Sequence, residues 1–263
     1  MANQHPGRQL SPGEQQPAAQ RSVTSKAFAL LATFDTGHVQ QSLTTMARRA
    51  GLPAATAHRL AGELLDWGAL ERQSGSYVIG HRLWQVGLLA SVRQNIAEVA
   101  APYMQDVLFV TQNVVNLFIL DHHQSLLIER ISGTRAGAPF RRVGARLPLH
   151  SSAAGKVLMA FEPVETSRLA LPLAASTPRT ITDPRSLSRE IADVREQGYA
   201  TTAEESGLDN FGLAVPVLSA SGECLAALGV VSQGGPPSVG STVPVLRIAA
   251  RSIARRLTLR LDA

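Results

Sequence analysis

The stretch from Ser42 to Gly68 reads as two short helices with only Gly51 and Leu52 between them. No other feature constrains the fold as strongly. Ser42 stands as a cap before Leu43, Met46, Ala47 and Ala50, which recur at three- and four-residue intervals, and Gly51 supplies the left-handed residue that ends a helix. Pro53 suits a first helical position, and Ala57, Leu60, Ala61, Leu64 and Trp67 make one apolar stripe that stops near Gly68. A helix, a tight Gly-containing turn and a second helix form the arrangement that lets the second helix project into a DNA major groove. Residues 69–72, a turn at Ser74–Gly75–Ser76 and Tyr77–Val78–Ile79 before Gly80 then predict a small hairpin, placed where a wing would be.

Around this unit the pattern predicts a first helix over Val23–Phe34, capped by Ser22. Residues 1–22, rich in Gln, Pro, Ala and Ser, read as a disordered tail without a signal core. From His81 to Asn95, Leu83, Val86, Leu89 and Ala90 form a seam with Trp84 beside it, which predicts a linker helix able to pair with a second copy.

The larger part, 96–263, reads as α+β. A helix over Ile96–Val110 precedes strands Val114–Leu120 and Leu126–Ile131, joined through Asp121–His122–His123–Gln124. Helices follow near Ser151 and over Leu187–Gln197, then strands at Tyr199–Thr202, Leu213–Leu218 and Cys224–Val231 with a turn at Ser221–Gly222. A closing helix starts near Pro244 and carries Arg247, Arg251 and Arg255 as a solvated row.

Charge is unevenly spread. The chain has a formal net charge of +5, and residues 1–95 hold nine Lys/Arg against five Asp/Glu, so a polyanion would dock on the N-terminal part. The single Cys224 excludes an intramolecular disulfide framework and suits a reducing cytoplasm, and no run approaches the ~18 apolar residues of a membrane span. No catalytic residue, metal site or cofactor is expected. Gly155–Lys156 lacks the first Gly and the following Ser/Thr of a phosphate loop, His122–His123 has no third ligand at a suitable spacing, and Glu204–Glu205, read as strand neighbours, would face opposite sides. A small-molecule-binding enzyme and a pure protein-interaction module remain the alternative classes.

The chain resembles the IclR family of bacterial transcription regulators from Val23 to the C-terminal helix. The resemblance rests on Gly51-Leu-Pro-Ala-Ala-Thr-Ala-His-Arg-Leu60, Tyr77-Val-Ile-Gly80, Pro148-Leu-His-Ser-Ser-Ala-Ala-Gly-Lys156, Gly198-Tyr199 with Glu204-Glu205, and Leu213-Ala-Val-Pro-Val217. It implies a winged helix-turn-helix over 23–80, a linker helix over 81–95 and a GAF/PAS-like antiparallel-sheet domain over 96–263 that senses a small molecule. It also implies a homodimer or homotetramer on a double-stranded DNA operator, associated with the nucleoid when bound.

If the apolar stripe faces the core, the third helix offers Ala55, His58 and Arg59 on its far side, with Thr56 near its start. Arg59 suits a bidentate contact to guanine, Ala55 a thymine methyl, and Thr56 a phosphate. Arg72 on the wing and Arg48 or Arg49 near the turn are candidates for backbone or minor-groove contacts. Family members often carry Lys then Ser where this chain has Ala54 and Ala55, so one customary phosphate contact is missing.

For the effector, the resemblance carries the site onto His150, Ser151, Ala153, Gly155, Thr202, Gly212, Gly229 and Val231. Relatives commonly place an Asp before the Glu pair, a Cys or Ser on the next strand and Ser residues on the last, where this chain has Thr202, Gly212, Gly229 and Val231. A pocket with fewer polar groups and more room favours an aromatic or aliphatic acid over a very small oxoacid.

Overall fold

The computed structural model describes residues 21–35, 37–89, 96–133, 142–162 and 172–261. Contacts divide the chain into two compact units, Met1–Val92 and Arg93–Ala263. Most of the expected tail (1–20) and the far end of the expected linker helix (90–95) lie outside the described residues.

The first unit holds α1 (Val23–Leu31), β1 (Gln40–Gln41), α2 (Leu43–Ala50), α3 (Ala54–Trp67), β2 (Leu70–Gln73), β3 (Ser76–Ile79) and α4 (His81–Leu88), with an antiparallel sheet in the order β1-β3-β2. The caps act as the sequence predicts. Ser22 and Ser42 accept the N–H groups of Ser25 and Thr45, and Gly51 and Gly68 close α2 and α3 at φ 65° and 80°. Leu30, Met46, Leu52, Ala57, Leu60, Ala61, Leu70 and Tyr77 form the core.

Several local expectations are corrected. α1 ends at Leu31 rather than Phe34, because the Thr33 hydroxyl donates to the Leu30 carbonyl (2.7 Å) and turns the chain. Pro53 precedes α3 instead of opening it: its ψ of 141° is extended, and its carbonyl accepts the Ala57 N–H. Leu64 is only half-buried and Trp67 is 42% exposed, its ring lying 4.6 Å from the Arg82 guanidinium, so a cation–π contact replaces core burial. The wing turn has two residues, Ser74 and Gly75, both at positive φ, and Ser76 already pairs with Gln73. β1 was not anticipated, since two glutamines carry no period-two signal; Gln40 and Gln41 pair with Val78 and Tyr77.

Two contacts tie the wing to its flanking helices. A Cβ on Gly80 would stand 2.2 Å from the Gly68 carbonyl oxygen, so only glycine allows the end of β3 to lie against the end of α3. Glu71 accepts the His81 N–H (2.8 Å) at the start of α4, which holds its carboxyl below the ordinary glutamate value. Along α4, Leu83 is half-buried while Trp84, Val86 and Leu89 are exposed.

The second unit contains α5 (Ile96–Thr111), β4 (Val114–Asp121), β5 (Gln124–Ile131), β6 (Arg146–Pro148), a single 3-10 turn (Leu149–Ser151), α6 (Ala153–Phe161), α7 (Pro184–Gln197), β7 (Ala200–Ala203), β8 (Phe211–Leu218), β9 (Cys224–Ser232) and α8 (Val239–Leu261). One antiparallel sheet runs in the order β6-β5-β4-β9-β8-β7. Strand alternation gives it two apolar faces. Val115, Leu117, Ile119, Leu213, Val215, Val217, Leu228 and Val230 pack with α5 and α8; Phe118, Leu127, Leu147, Ala200, Ala214 and Ala227 pack with α6 and α7.

Here too the boundaries move. The β4–β5 turn comprises His122 and His123 only, and β6 is a short strand the pattern did not predict. The helix expected near Ser151 begins at Ala153, after the 3-10 turn, with Ser152 as its cap. α7 starts at Pro184, three residues early, because Asp183 accepts the Ser186 N–H (2.8 Å). α8 begins at Val239 and takes Pro244 into its interior. Its Arg247, Arg251 and Arg255 are exposed, opposite buried Leu246, Ala250 and Ile253.

Candidate functional site

The first candidate surface is α3. Burying Ala57, Leu60 and Ala61 turns Ala55, His58 and Arg59 outward, and all three are exposed, with Thr56 half-buried beside them. Pro53 has no capping side chain, so the N–H groups of the first turn are left for an outside acceptor. Arg59 Nη1 donates to Glu63 Oε1 one turn away (2.5 Å), both side chains more than half exposed. Such a pair contributes little to stability, so Arg59 can be recruited by another acceptor at low cost. Arg72 lies on β2, donating to Tyr77 Oη (3.0 Å) with its guanidinium 5.2 Å from that ring.

The two arginines before the turn differ. Arg48 is exposed, and its side chain makes no ion pair or hydrogen bond among the described residues. Arg49 is held by Asp35 Oδ2 (2.5 Å) and His38 Nε2 (3.1 Å). Asp35 is shifted below its ordinary value, chiefly by its hydrogen bond from His38. Arg49 therefore ties α2 to the chain after α1.

The second candidate is a cavity between the sheet and α6. On this face the central positions carry Gly212, Ala214, Ala227 and Gly229, whereas the same strands fill the other face with Leu and Val. Missing side-chain volume leaves a cavity of about 50 Å³ that opens to solvent. Phe118, Leu147 and Val231 give apolar walls; Asn116, Ser152, Thr202, Ser206 and Asn210 give polar points. Ala153 and Ala154, in the first turn of α6, also line it, while the Ser152 side chain caps only the Gly155 N–H (3.1 Å).

Beneath α6 lies a buried ion cluster. Lys156, with no exposed surface, donates from Nζ to Glu205 Oε1 (2.7 Å) and Oε2 (2.8 Å) and to Glu190 Oε1 (2.5 Å). Burial pushes the Glu205 carboxyl up, and the Lys156 ammonium opposes that shift. Thr177 and Thr180 donate to the carbonyls of Glu204 and Glu205 (2.6 Å each). The cluster thus joins α6 and α7 to the loop after β7 that brings Ser206 and Asn210 to the cavity. Glu204 turns away at φ 58° and pairs with Arg179 (2.9 Å), so bend geometry, not strand alternation, separates the two glutamates.

The family model for the IclR helix-turn-helix domain matches residues 23–74, and the model for the bacterial transcriptional regulator IclR C-terminal region matches residues 89–255. The chain belongs to the IclR family. It is 30% identical over 208 residues to the transcriptional regulator XynR of Escherichia coli K12, covering 77% of this chain and 82% of that one. It is 28% identical to the E. coli transcriptional repressor AllR, covering 95% of this chain and 96% of that one. Among solved structures, an IclR homologue of Microbacterium hydrocarbonoxydans complexed with 4-hydroxybenzoate superposes with a TM-score of 0.83 at 34% identity, covering 90% of this chain and all of that one. Thermotoga maritima IclR gives 0.72 at 26% identity, covering 89% and 98%.

Of the IclR-derived effector positions, Ala153, Thr202, Gly212, Gly229 and Val231 line the cavity. His150, Ser151 and Gly155 do not. His150 Nε2 donates to the Ala174 carbonyl (3.0 Å), Ser151 is buried in the 3-10 turn, and Gly155 packs against Leu149. Sequence reasoning missed Asn116, Phe118, Leu147, Ser206 and Asn210. Asn116 did carry a signal, as the single amide inside the apolar run 114–120 on the face shared with Phe118.

Proposed function

We propose that this IclR-family regulator reads operator DNA through α3 and the wing and that an organic acid in the C-terminal cavity modulates the binding. The observation that carries the first half is the outward face of α3, where Ala55, His58 and Arg59 stand opposite the fully buried Ala57, Leu60 and Ala61 beside an exposed wing tip. Arg59 is assigned to a guanine edge, Ala55 and His58 to neighbouring bases, and Thr56, Arg48 and Arg72 to phosphates. Arg49 serves as a brace that keeps α2 in place. In this reading residues 23–80 bind DNA, 81–95 link and pair two copies, and 96–263 take the effector, in a cytoplasmic dimer or tetramer whose two heads set the half-site spacing. No catalytic step is assigned.

Gel shifts on a footprinted operator test the first half. Arg59→Ala should weaken binding about 5- to 150-fold at sites with the cognate guanine and much less where that base is changed. Arg72→Ala should weaken all sequences alike and reduce the salt slope by about one. Unchanged binding by both variants would overturn the assignment.

The cavity's small-residue floor and apolar walls support an aromatic or aliphatic acid, as does the 4-hydroxybenzoate held by the Microbacterium relative. Titration calorimetry should find aromatic acids binding more tightly than glyoxylate or pyruvate. Binding of the small oxoacids alone would defeat this choice.

A further inference from the structure

Resting on the reading of α3 as the DNA-reading helix and of 81–95 as the segment that pairs two copies, we propose that Glu71 and Arg82 lock the linker helix to the reading helix, so that the dimer accepts a single separation of its two half-sites. Three consecutive residues at the start of α4 each reach back across the joint. The Gly80 N–H donates to the Ala69 carbonyl (2.8 Å), and the His81 N–H and Nδ1 both meet Glu71 Oε1 (2.8 Å each). Arg82 Nη1 donates to the Trp67 carbonyl (3.2 Å), while its guanidinium lies over the Trp67 ring at 4.6 Å. With Gly80 as its N-cap, α4 has no capping side chain of its own, and Glu71 of β2 takes that role. Trp67 is the last residue of α3, and Arg82 sets a donor and a positive charge against that end, where carbonyls lack intrahelical partners and the helix dipole favours a cation. Each helix end is thus completed from across the joint.

A joint of this kind has little freedom to swing. Turning α4 about Gly80 would break the cap on His81 and pull Arg82 off the indole, and the packing behind it leaves no slack. A Cβ on Gly80 would stand 2.2 Å from the Gly68 carbonyl oxygen, and one on Gly68 would stand 3.3 Å from the Arg82 Cβ. Beyond the joint, Trp84, Val86 and Leu89 stay exposed. When two copies pair along this segment, the distance and angle between their α3 helices follow from the lock rather than from a flexible tether. Successive positions on B-DNA move by about 3.4 Å and turn by about 35° per base pair, so a fixed pair of reading helices matches one spacing, whereas a tethered pair adapts. Neither side chain belongs to the reading face, since Glu71 is an acid bonded to His81 and Arg82 lies on Trp67. Both are positioning residues.

The test uses gel shifts of the full-length protein on its footprinted operator and on the same operator with two base pairs inserted between the half-sites, a change of about 7 Å and 70°. The parent should lose roughly 100-fold or more on the lengthened site, where only one head at a time can engage. The double variant Glu71→Ala/Arg82→Ala should bind the unaltered operator within about tenfold of the parent and lose less than about tenfold on insertion, because its heads swing to follow the half-sites. Should the double variant fold poorly, Arg82→Gln alone, which keeps a donor for the Trp67 carbonyl but no charge over the ring, should show an intermediate penalty. A parent indifferent to the insertion, or variants that weaken on both operators in parallel and keep the parent's full penalty, would overturn the lock and leave DNA reading by α3 intact. No operator binding by the parent would overturn both.

Discussion

Replacing Lys156 with Met is expected to destabilise the protein by about 3–5 kcal/mol at neutral pH, because it leaves two carboxylates with no cation where one lies buried. Glu205 loses the partner of both its oxygens, and Glu190 loses its contact with Nζ. Lost packing is a small part of this effect, since Met follows most of the lysine stem. The sign of the pH dependence separates the two causes. Burial already raises the Glu205 carboxyl, and removing Lys156 raises it further. The folded state then binds a proton that the unfolded state releases, so stability falls as pH rises through that window and the deficit shrinks on acidification. Urea unfolding of the parent and the variant across mildly acidic to neutral pH measures this. A deficit independent of pH would show packing to be the cause. Adding Glu205→Gln to Lys156→Met should recover most of the loss, the double-variant cycle giving the coupling directly.

The second large effect belongs to Gly155. A Cβ there would stand 2.2 Å from the Leu149 carbonyl oxygen and 2.6 Å from the Leu149 Cα, backbone atoms that cannot swing aside. Gly155→Ala should therefore cost about 3 kcal/mol even though alanine is the better helix former. It should also displace the first turn of α6, and with it Ala153 and Ala154 at the cavity, so ligand affinity should fall together with the melting temperature. Gly87 in α4 is the control: nothing lies within 4 Å of a Cβ there, and Gly87→Ala should be neutral or stabilising by up to about 1 kcal/mol. Equal melting temperatures for the two alanine variants would refute the close approach of α6 to Leu149.

The Gly155 case also shows how far the chain can be read without its fold. The Pro148–Lys156 motif identified the right segment, but the IclR resemblance carried the effector site onto His150, Ser151 and Gly155 as well as Ala153. A 3-10 turn of three residues delays α6 to Ala153, which aims His150 at the Ala174 carbonyl and turns Gly155 onto Leu149. Lys156 and Glu205 followed a similar course. In sequence they looked like fragments of a phosphate loop and an acid–base pair. In space they complete one another across the 49 residues that separate them.

What the sequence determined by itself was local. Helix caps at Ser22, Ser42, Gly51 and Gly68, the apolar periods of α2 and α3 and the Gly-containing wing turn are set by backbone sterics and by neighbours within a few positions, so they are legible residue by residue. Only the tertiary structure decided that Trp67 lies under Arg82, that Gln40 and Gln41 become an edge strand, and that small residues on β8 and β9 leave a hollow with Asn116 at its margin. Those outcomes depend on which strands become neighbours, and sheet pairing joins residues more than a hundred positions apart, such as Asn116 and Gly229, through contacts that no local pattern encodes.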